Sequence, residues 1–324
     1  MPERMRIVFC GTPQFAVPTL KHLLAQPDFE IAGVITQPDR PRGRGQELSF
    51  SPVKQVAKAA HLPVHQPEKI RAPEAQELLK ELSPDGVVII AYGQIIPAGL
   101  LSIPTYGWIN LHASLLPKYR GAAPINWTIV NGETRTGVTT MRIDAGMDTG
   151  DMLLQREIEI GPTETAPELV LRLSELGAPL MAETLRRLAA GTIVQRAQNH
   201  AEASYAPMLK KEDGRIDWNR SAREIYNRMR GLAPWPGTYT TFRRQTCHVL
   251  GKPVSKGVGA GLPAHGTGVA PGTLFGEKNE LFVMCGDATV LRVVAVKVEG
   301  RKQVSASEFA NGARLKAGER FGNT

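Results

Sequence analysis

Apolar residues in the first 190 positions fall into two alternating kinds of run. Short, nearly continuous apolar stretches at Arg6–Cys10, Ile31–Thr36 and Asp85–Gly93 have the length and composition of strands covered on both faces. Between and after them, Pro52–Ala60, Ala72–Leu82, Ala123–Val130 and Thr165–Ala190 carry the three-to-four residue spacing of amphipathic helices. In the last of these Leu169, Leu173, Leu176, Leu180, Leu185 and Leu188 form the stripe, and Gly191 ends it. Further strands are expected at Leu62–His65, Trp108–His112, Gly137–Ile143 and Met152–Ile160. The alternation predicts an α/β fold with a doubly wound, mostly parallel, Rossmann-like sheet. Gly11-Thr-Pro13 after the first strand predicts a helix capped by Thr12 with Pro13 in its first turn. Because Gly-x-Gly-x-x-Gly is absent there, a dinucleotide site is not indicated.

Beyond Gly191 the pattern changes. Residues 192–209 lose periodicity and read as a linker, and one further helix, Ser221–Gly231, begins at a serine cap. Short β-like runs follow at His248–Leu250, Leu281–Cys285 and Thr289–Val298, with Gly-rich turns between them, including Lys256–Gly272. Several short strands close most simply as a small β-barrel, of the kind that binds oligonucleotides. The expected organisation is a catalytic α/β domain over 1–191, a linker over 192–209 and a barrel over 210–324.

Composition alters this picture in two respects. The chain has 324 residues, 42% hydrophobic and 22% charged, and contains no run of 18 apolar residues, which disfavours the disordered and membrane classes. Its start, Met1-Pro-Glu-Arg4, leads into a strand without the apolar region of a signal peptide, and a cytoplasmic location is expected. Cys10, Cys247 and Cys285 are odd in number and far apart, which points to core thiols, not a disulfide framework or a zinc site. The net charge is +8, but residues 1–204 carry 20 Lys and Arg against 21 Asp and Glu, whereas 205–324 carry 19 against 10. The excess charge therefore lies in the last third, as suits a polyanionic partner such as nucleic acid; a solubilising surface is the alternative.

Candidate chemistry gathers around one strand end. In Trp108–His112, period-two alternation puts Asn110 and His112 on one face, near the carboxyl end where open α/β sheets bind ligands. An amide can donate to a developing oxyanion, and an imidazole can exchange a proton near neutral pH. The sharply turning loop Ser114-Leu-Leu-Pro117, followed by Lys118-Tyr-Arg-Gly121, suits a flat, partly apolar ligand, and Tyr92-Gly-Gln-Ile95 arrives beside it. Asp144, Asp148 and Asp151 share a Gly-rich turn without the spacing of a calcium loop, so an active-site turn presenting one aspartate to the imidazole is expected, and no metal. Arg40, Arg42 and Arg44 alternate with Pro and Gly in a long loop, an arrangement equally suited to phosphate contact or to solvent.

The segment Asn110-Leu-His112-Ala-Ser-Leu-Leu-Pro-Lys-Tyr-Arg-Gly-Ala-Ala-Pro-Ile125, with Asp148-Thr-Gly-Asp-Met152 after it, resembles the 10-formyltetrahydrofolate-dependent formyltransferases. Gly11-Thr-Pro13, Thr36-Gln-Pro-Asp-Arg-Pro41, Ser51-Pro-Val-Lys54, Ile216-Asp-Trp218 and Pro234-Trp-Pro236 are similar to landmarks of the branch that formylates methionyl initiator tRNA. The likeness covers the chain to about residue 237. It implies Asn110, His112 and Asp148 as the catalytic set, with Asp148 orienting the imidazole and relaying a proton through water. Ser114, Leu115, Leu116 and Pro117, with backbone around Tyr92, Gly93, Gln94 and Ile95, would bind the folate, and Arg44, with Arg42 and Arg40, would contact the tRNA. The implied co-substrate is 10-formyltetrahydrofolate, and a monomer is expected. Glycinamide ribonucleotide or a nucleotide-linked amino sugar as the acceptor, and a non-catalytic RNA-binding protein, are the alternatives.

Overall fold

The computed structural model describes residues 4–42, 47–254, 269–277 and 279–322. Arg44 and most of the Gly-rich run 256–272 lie outside them. The chain divides into two compact units, Met1–Pro124, Arg135–Glu159 and Glu168–Pro207 forming the first, and Ile125–Thr134, Ile160–Pro167 and Met208–Thr324 the second. The stretch expected to be a linker is thus hydrogen-bonded into the first unit as far as Pro207: Met152 and Arg196 exchange two backbone bonds of 2.9 Å, and Ala206 N–H donates to the Arg120 carbonyl at 2.7 Å.

In the first unit β1 (Met5–Gly11), β2 (Phe29–Ile35), β5 (Val64–His65), β6 (Gly86–Ile90), β7 (Trp108–His112), β8 (Arg135–Arg142) and β9 (Met152–Glu159) form one sheet in the order β5-β2-β1-β6-β7-β8-β9. Its strands are parallel through β7, and β8 and β9 are antiparallel to their neighbours. The order reverses at β1 and β6, so the carboxyl ends of β1, β6 and β7 flank the crevice such a reversal opens. All five residues of β6 are buried, as the apolar run requires. The first unit's helices are α1 (Val17–Leu24), α2 (Pro52–Ala59), α3 (Pro73–Leu82), α4 (Ala98–Leu101) and nearly all of α6 (Ala166–Ala189), whereas α5 (Pro124–Val130) belongs, but for its first residue, to the second unit.

Two local expectations are corrected here. Thr12 caps no helix: a 3-10 turn over Gln14–Ala16 intervenes, and α1 begins at Val17. Instead the Thr12 hydroxyl accepts the Gln37 N–H at 3.4 Å. The arginine-bearing stretch is not a plain loop either, since β3 (Arg40–Arg42) pairs with β4 (Glu47–Ser49) in a short hairpin. Proline is compatible with a two-stranded ribbon because only one strand edge needs its N–H groups.

The second unit is built on β10 (Tyr239–Phe242), β11 (Gln245–Pro253), β12 (Leu274–Glu277), β13 (Glu280–Met284), β14 (Val290–Val298) and β15 (Val304–Ser305), with α7 (Ala222–Gly231) and α8 (Ala306–Ala313). The sheet runs β10-β11-β14-β13-β12 with β15 also on β14, all antiparallel. Its two edges are joined by the C-terminal segment. Leu274 N–H donates to the Glu319 carbonyl at 2.8 Å, and Gly322 N–H donates to Thr241 of β10 at 2.8 Å, which gives the sheet a barrel-like closure. Phe321 fills the interior, stacked on Trp218 at 5.5 Å and edge-on to Phe242 at 5.9 Å.

Candidate active site

The sheet's packing decides which face of β7 does chemistry. Leu111 lies under α6, where a Cβ on Gly177 would stand 2.4 Å from a Leu111 methyl, so the helix closes onto the strand only through glycine. Its alternating neighbours Asn110 and His112 therefore face the other side. Among the described residues none bonds the Asn110 carboxamide, which is half-buried at the strand's end. His112 is 5% exposed, and its Nε2 lies 2.9 Å from the Tyr119 carbonyl oxygen. A carbonyl only accepts, so Nε2 carries the proton and the neutral ring keeps its lone pair on Nδ1. That nitrogen faces Asp148 Oδ2 at 3.6 Å. The separation is too long for a hydrogen bond and short enough for an ion pair once Nδ1 is protonated.

Asp148 is held in place by its surroundings. Its Oδ2 accepts the Gly121 N–H at 2.8 Å, and its backbone is left-handed at φ +53°. Gly121 has φ +117°, and a Cβ there would lie 2.7 Å from the Ala206 carbonyl oxygen, so both the turn and the close approach require glycine. Asp144 ties the turn by accepting from Gly146 N–H at 3.0 Å and from the Thr149 hydroxyl at 2.8 Å. Gln198 donates to the carbonyls of Asp148 and Gly150 at 2.9 and 2.8 Å. Of the three aspartates in the turn, Asp148 faces the ring. The His112 ring is hydrogen-bonded to the Tyr119 carbonyl, and Asp148 Oδ2 lies opposite its other nitrogen.

The Ser114–Pro117 turn is internally bonded. The buried Ser114 hydroxyl donates to the Lys118 carbonyl at 2.6 Å, while the Thr139 hydroxyl donates to the Ser114 carbonyl at 2.7 Å and accepts Leu116 N–H at 3.2 Å. Gln155 donates to the Leu116 carbonyl at 2.9 Å. The side chains of Ser114 and Leu116 point into the protein, whereas Leu115 and Pro117 are half-exposed. Beside this turn the chain leaves β6 through Ala91 at φ +47° and Gly93 at φ +90°. The Tyr92 ring is buried, its carbonyl accepts Gln37 Nε2 at 2.9 Å, and Gln94 Oε1 accepts Ile70 N–H at 2.7 Å. Burial pushes the Tyr92 phenol well above its ordinary value. Ile95 is 89% exposed, an apolar side chain in water unless a ligand covers it. Tyr92, Gln94, Ser114 and Leu116 thus hold the two loops, and Ile95, Leu115 and Pro117 offer apolar surface.

Arg40 is exposed at the start of the hairpin, Arg42 lies on β3, and Arg44 falls outside the described residues. The residue before them, Asp39, pairs with Lys54 and accepts Gln66 Nε2 at 3.1 Å, and the Lys54 ammonium holds its carboxyl below the usual carboxylate range. Tyr119, Gly121, Thr139 and Gln155 bear on the site without being singled out by the sequence pattern. The first two sit inside the motif that drew attention, but they act through main-chain groups that residue type does not reveal. The three cysteines are buried, and burial raises Cys247 and Cys285 to about 12, leaving them inert.

Residues 5–185 match the family model described as formyl transferase, and 208–314 match the formyl transferase C-terminal domain. A methionyl-tRNA formyltransferase of Solibacter usitatus is 54% identical over 319 residues, covering 98% of this chain and 99% of that protein. Another, from Geobacter metallireducens, is 50% identical with the same coverage. Among solved structures, a sugar 3N-formyl transferase crystallised with dTDP and 5-N-formyl-THF superposes with a TM-score of 0.62 at 18% identity, covering 93% of this chain and all of that one. That last likeness is one of fold.

Proposed function

Since the chain belongs to the formyl transferase family, we propose that it transfers the formyl group of 10-formyltetrahydrofolate to the α-amino group of methionyl-tRNA, with His112 as the proton-transfer group. The folate supplies an electrophilic formyl carbon on nitrogen. As the methionyl amine forms its bond to that carbon, negative charge grows on the formyl oxygen and the amine must shed a proton. Asn110 donates its otherwise unused amide hydrogens to the oxygen. His112 takes the proton on Nδ1 and becomes an imidazolium facing Asp148, and the proton passes to the folate nitrogen as its bond to carbon breaks. The observation that carries this reading is the hydrogen bond from Nε2 to the Tyr119 carbonyl, which leaves Nδ1 as the acceptor beside a carboxylate.

The residues present fit a pteridine. Leu115, Pro117 and Ile95 provide apolar contact, and the main chain at Ala91–Gly93 supplies polar edges. Arg40, Arg42 and Arg44 contact acceptor-stem phosphates, and the basic 210–324 region provides the remaining RNA surface. The enzyme works as a monomer in the cytoplasm, on the initiator tRNA. Incubation with 10-formyltetrahydrofolate and a panel of charged tRNAs, with glycinamide ribonucleotide as the control amine, tests the assignment. Formyl transfer confined to methionyl-tRNA supports it, and transfer to the control alone refutes it.

A further inference from the structure

Arg120 is 2% exposed, yet among the described residues no carboxylate pairs with it. Both Nε and Nη2 donate to Gln198 Oε1, at 3.0 and 2.7 Å, and Nη1 contacts His200 Nδ1 at 3.1 Å. A guanidinium has no acceptor, so the His200 nitrogen must accept. Burying a cation against two neutral acceptors is costly for stability, and an apolar side chain of similar volume would fill the space more cheaply. What the arrangement gains is position. With its oxygen taken twice by Arg120, the 5% exposed Gln198 amide has one orientation, and its two N–H groups are aimed at the carbonyls of Asp148 and Gly150. The backbone of Arg120 lies in the same structure, since its N–H donates to the Ser204 carbonyl at 2.8 Å and its carbonyl accepts Ala206 N–H at 2.7 Å. Its chain neighbours Tyr119 and Gly121 are the groups that fix His112 and Asp148.

We infer that Arg120 and Gln198 are positioning residues for the transfer step: the guanidinium locks the Gln198 amide, which clamps the left-handed Asp148 turn so that its carboxylate stands opposite His112 Nδ1. The inference rests on the assignment of Asp148 to the reaction. It identifies the clamp as a device separate from the Gly121 N–H that holds the carboxylate itself. Loss of the clamp lets the turn relax, and displacement of a reacting group by about 1 Å costs on the order of 100-fold in rate. Substrate affinity stays, because the polar atoms of both side chains are taken up by protein partners.

Gln198→Glu is the discriminating variant: it keeps an acceptor for Arg120, now a full ion pair, while removing both donors to the turn. Arg120→Gln removes the lock from the other side. Turnover, KM for methionyl-tRNA and folate affinity are measured for both, for Asp148→Asn, and for the double variant Gln198→Glu with Asp148→Asn. The expected result is a kcat lower by about 10- to 100-fold in Gln198→Glu, with KM and folate affinity within about twofold, and no further loss in the double variant beyond Asp148→Asn alone. Should Arg120→Gln fail to fold, Gln198→Glu with its intact ion pair carries the test. Wild-type kcat in Gln198→Glu while Asp148→Asn is inactive overturns the clamp alone, as do losses that multiply in the double variant. Wild-type kcat in Asp148→Asn overturns the assignment of Asp148, and the clamp with it.

Discussion

The proton that His112 gives to the Tyr119 carbonyl fixes the chemistry of the other ring nitrogen, because a neutral imidazole has one donor and one acceptor. In the proposed mechanism Asp148, kept in place by the Gly121 N–H, then stabilises the imidazolium formed during transfer without accepting a hydrogen bond from it at rest. Replacing His112 by Asn or Asp148 by Asn is expected to lower kcat by about two to four orders of magnitude, with tRNA affinity nearly unchanged, since a general acid–base group acts mainly on the transition state. Single-turnover formylation together with filter binding of the tRNA checks this, and near-normal turnover in either variant removes that residue from the mechanism. The shared face of Asn110 and His112 was legible in the sequence because a strand's period of two is rigid. Tyr119, Gly121, Arg120 and Gln198 were not assigned roles, because two of them act through backbone groups and the other two meet only when residues 78 positions apart are brought together.

Elements constrain the site through glycine. A Cβ on Gly137 in β8 would stand 2.1 Å from the Arg156 carbonyl oxygen and 2.6 Å from a Leu115 methyl, so Gly137→Ala must push the Ser114–Pro117 turn or the β8–β9 pairing aside. Folate affinity is expected to fall at least about tenfold in that variant, read by fluorescence titration; unchanged affinity would show that Leu115 does not line the ligand. In the second unit α7 starts with a capping box, Ser221 accepting Glu224 N–H at 3.3 Å and donating to the Glu224 carboxylate at 2.7 Å. Ser221→Ala should cost about 1 kcal/mol in urea denaturation. The Ser221 hydroxyl and N–H hold the Glu224 carboxyl below its ordinary value of 4.5, so this contribution is present above that pH and is lost as the pH falls through the lowered folded value. Comparing Ser221→Ala with the wild type at pH 7 and at pH 3 checks the sign: the difference must shrink in acid. The parallel strands β1, β2, β6 and β7 of the first unit were readable from their apolar residues, whereas the β3–β4 hairpin, of three residues a strand, was not. β10, β12 and β15 were not, having two to four residues each, and the closing role of Glu319–Gly322 has no periodicity at all.

For the whole molecule, charge and connectivity separate differently from a simple cut. Residues 205–324 carry 19 basic against 10 acidic side chains, so the long-range attraction proposed for RNA is expected from that region. The second unit also includes residues 125–134 and 160–167, so a truncation near residue 209 divides it and leaves those segments without their partners. Charge is better tested in the full chain. Each phosphate contact removed by a Lys or Arg substitution in the second unit should reduce the logarithmic salt slope of tRNA affinity by roughly 0.7 to 0.9, and a slope that does not change would make that charge a solubilising surface. The most direct measurement of the account as a whole is the kcat/KM for formyl transfer from 10-formyltetrahydrofolate to methionyl-tRNA, set against methionine methyl ester, which offers the same amine without the polyanion, at low and high salt. The expected result is transfer to both, a strong preference for the tRNA-borne amine, and a preference that shrinks as salt rises. Absence of formylmethionyl-tRNA, or equal use of the two amines at every salt concentration, would contradict it.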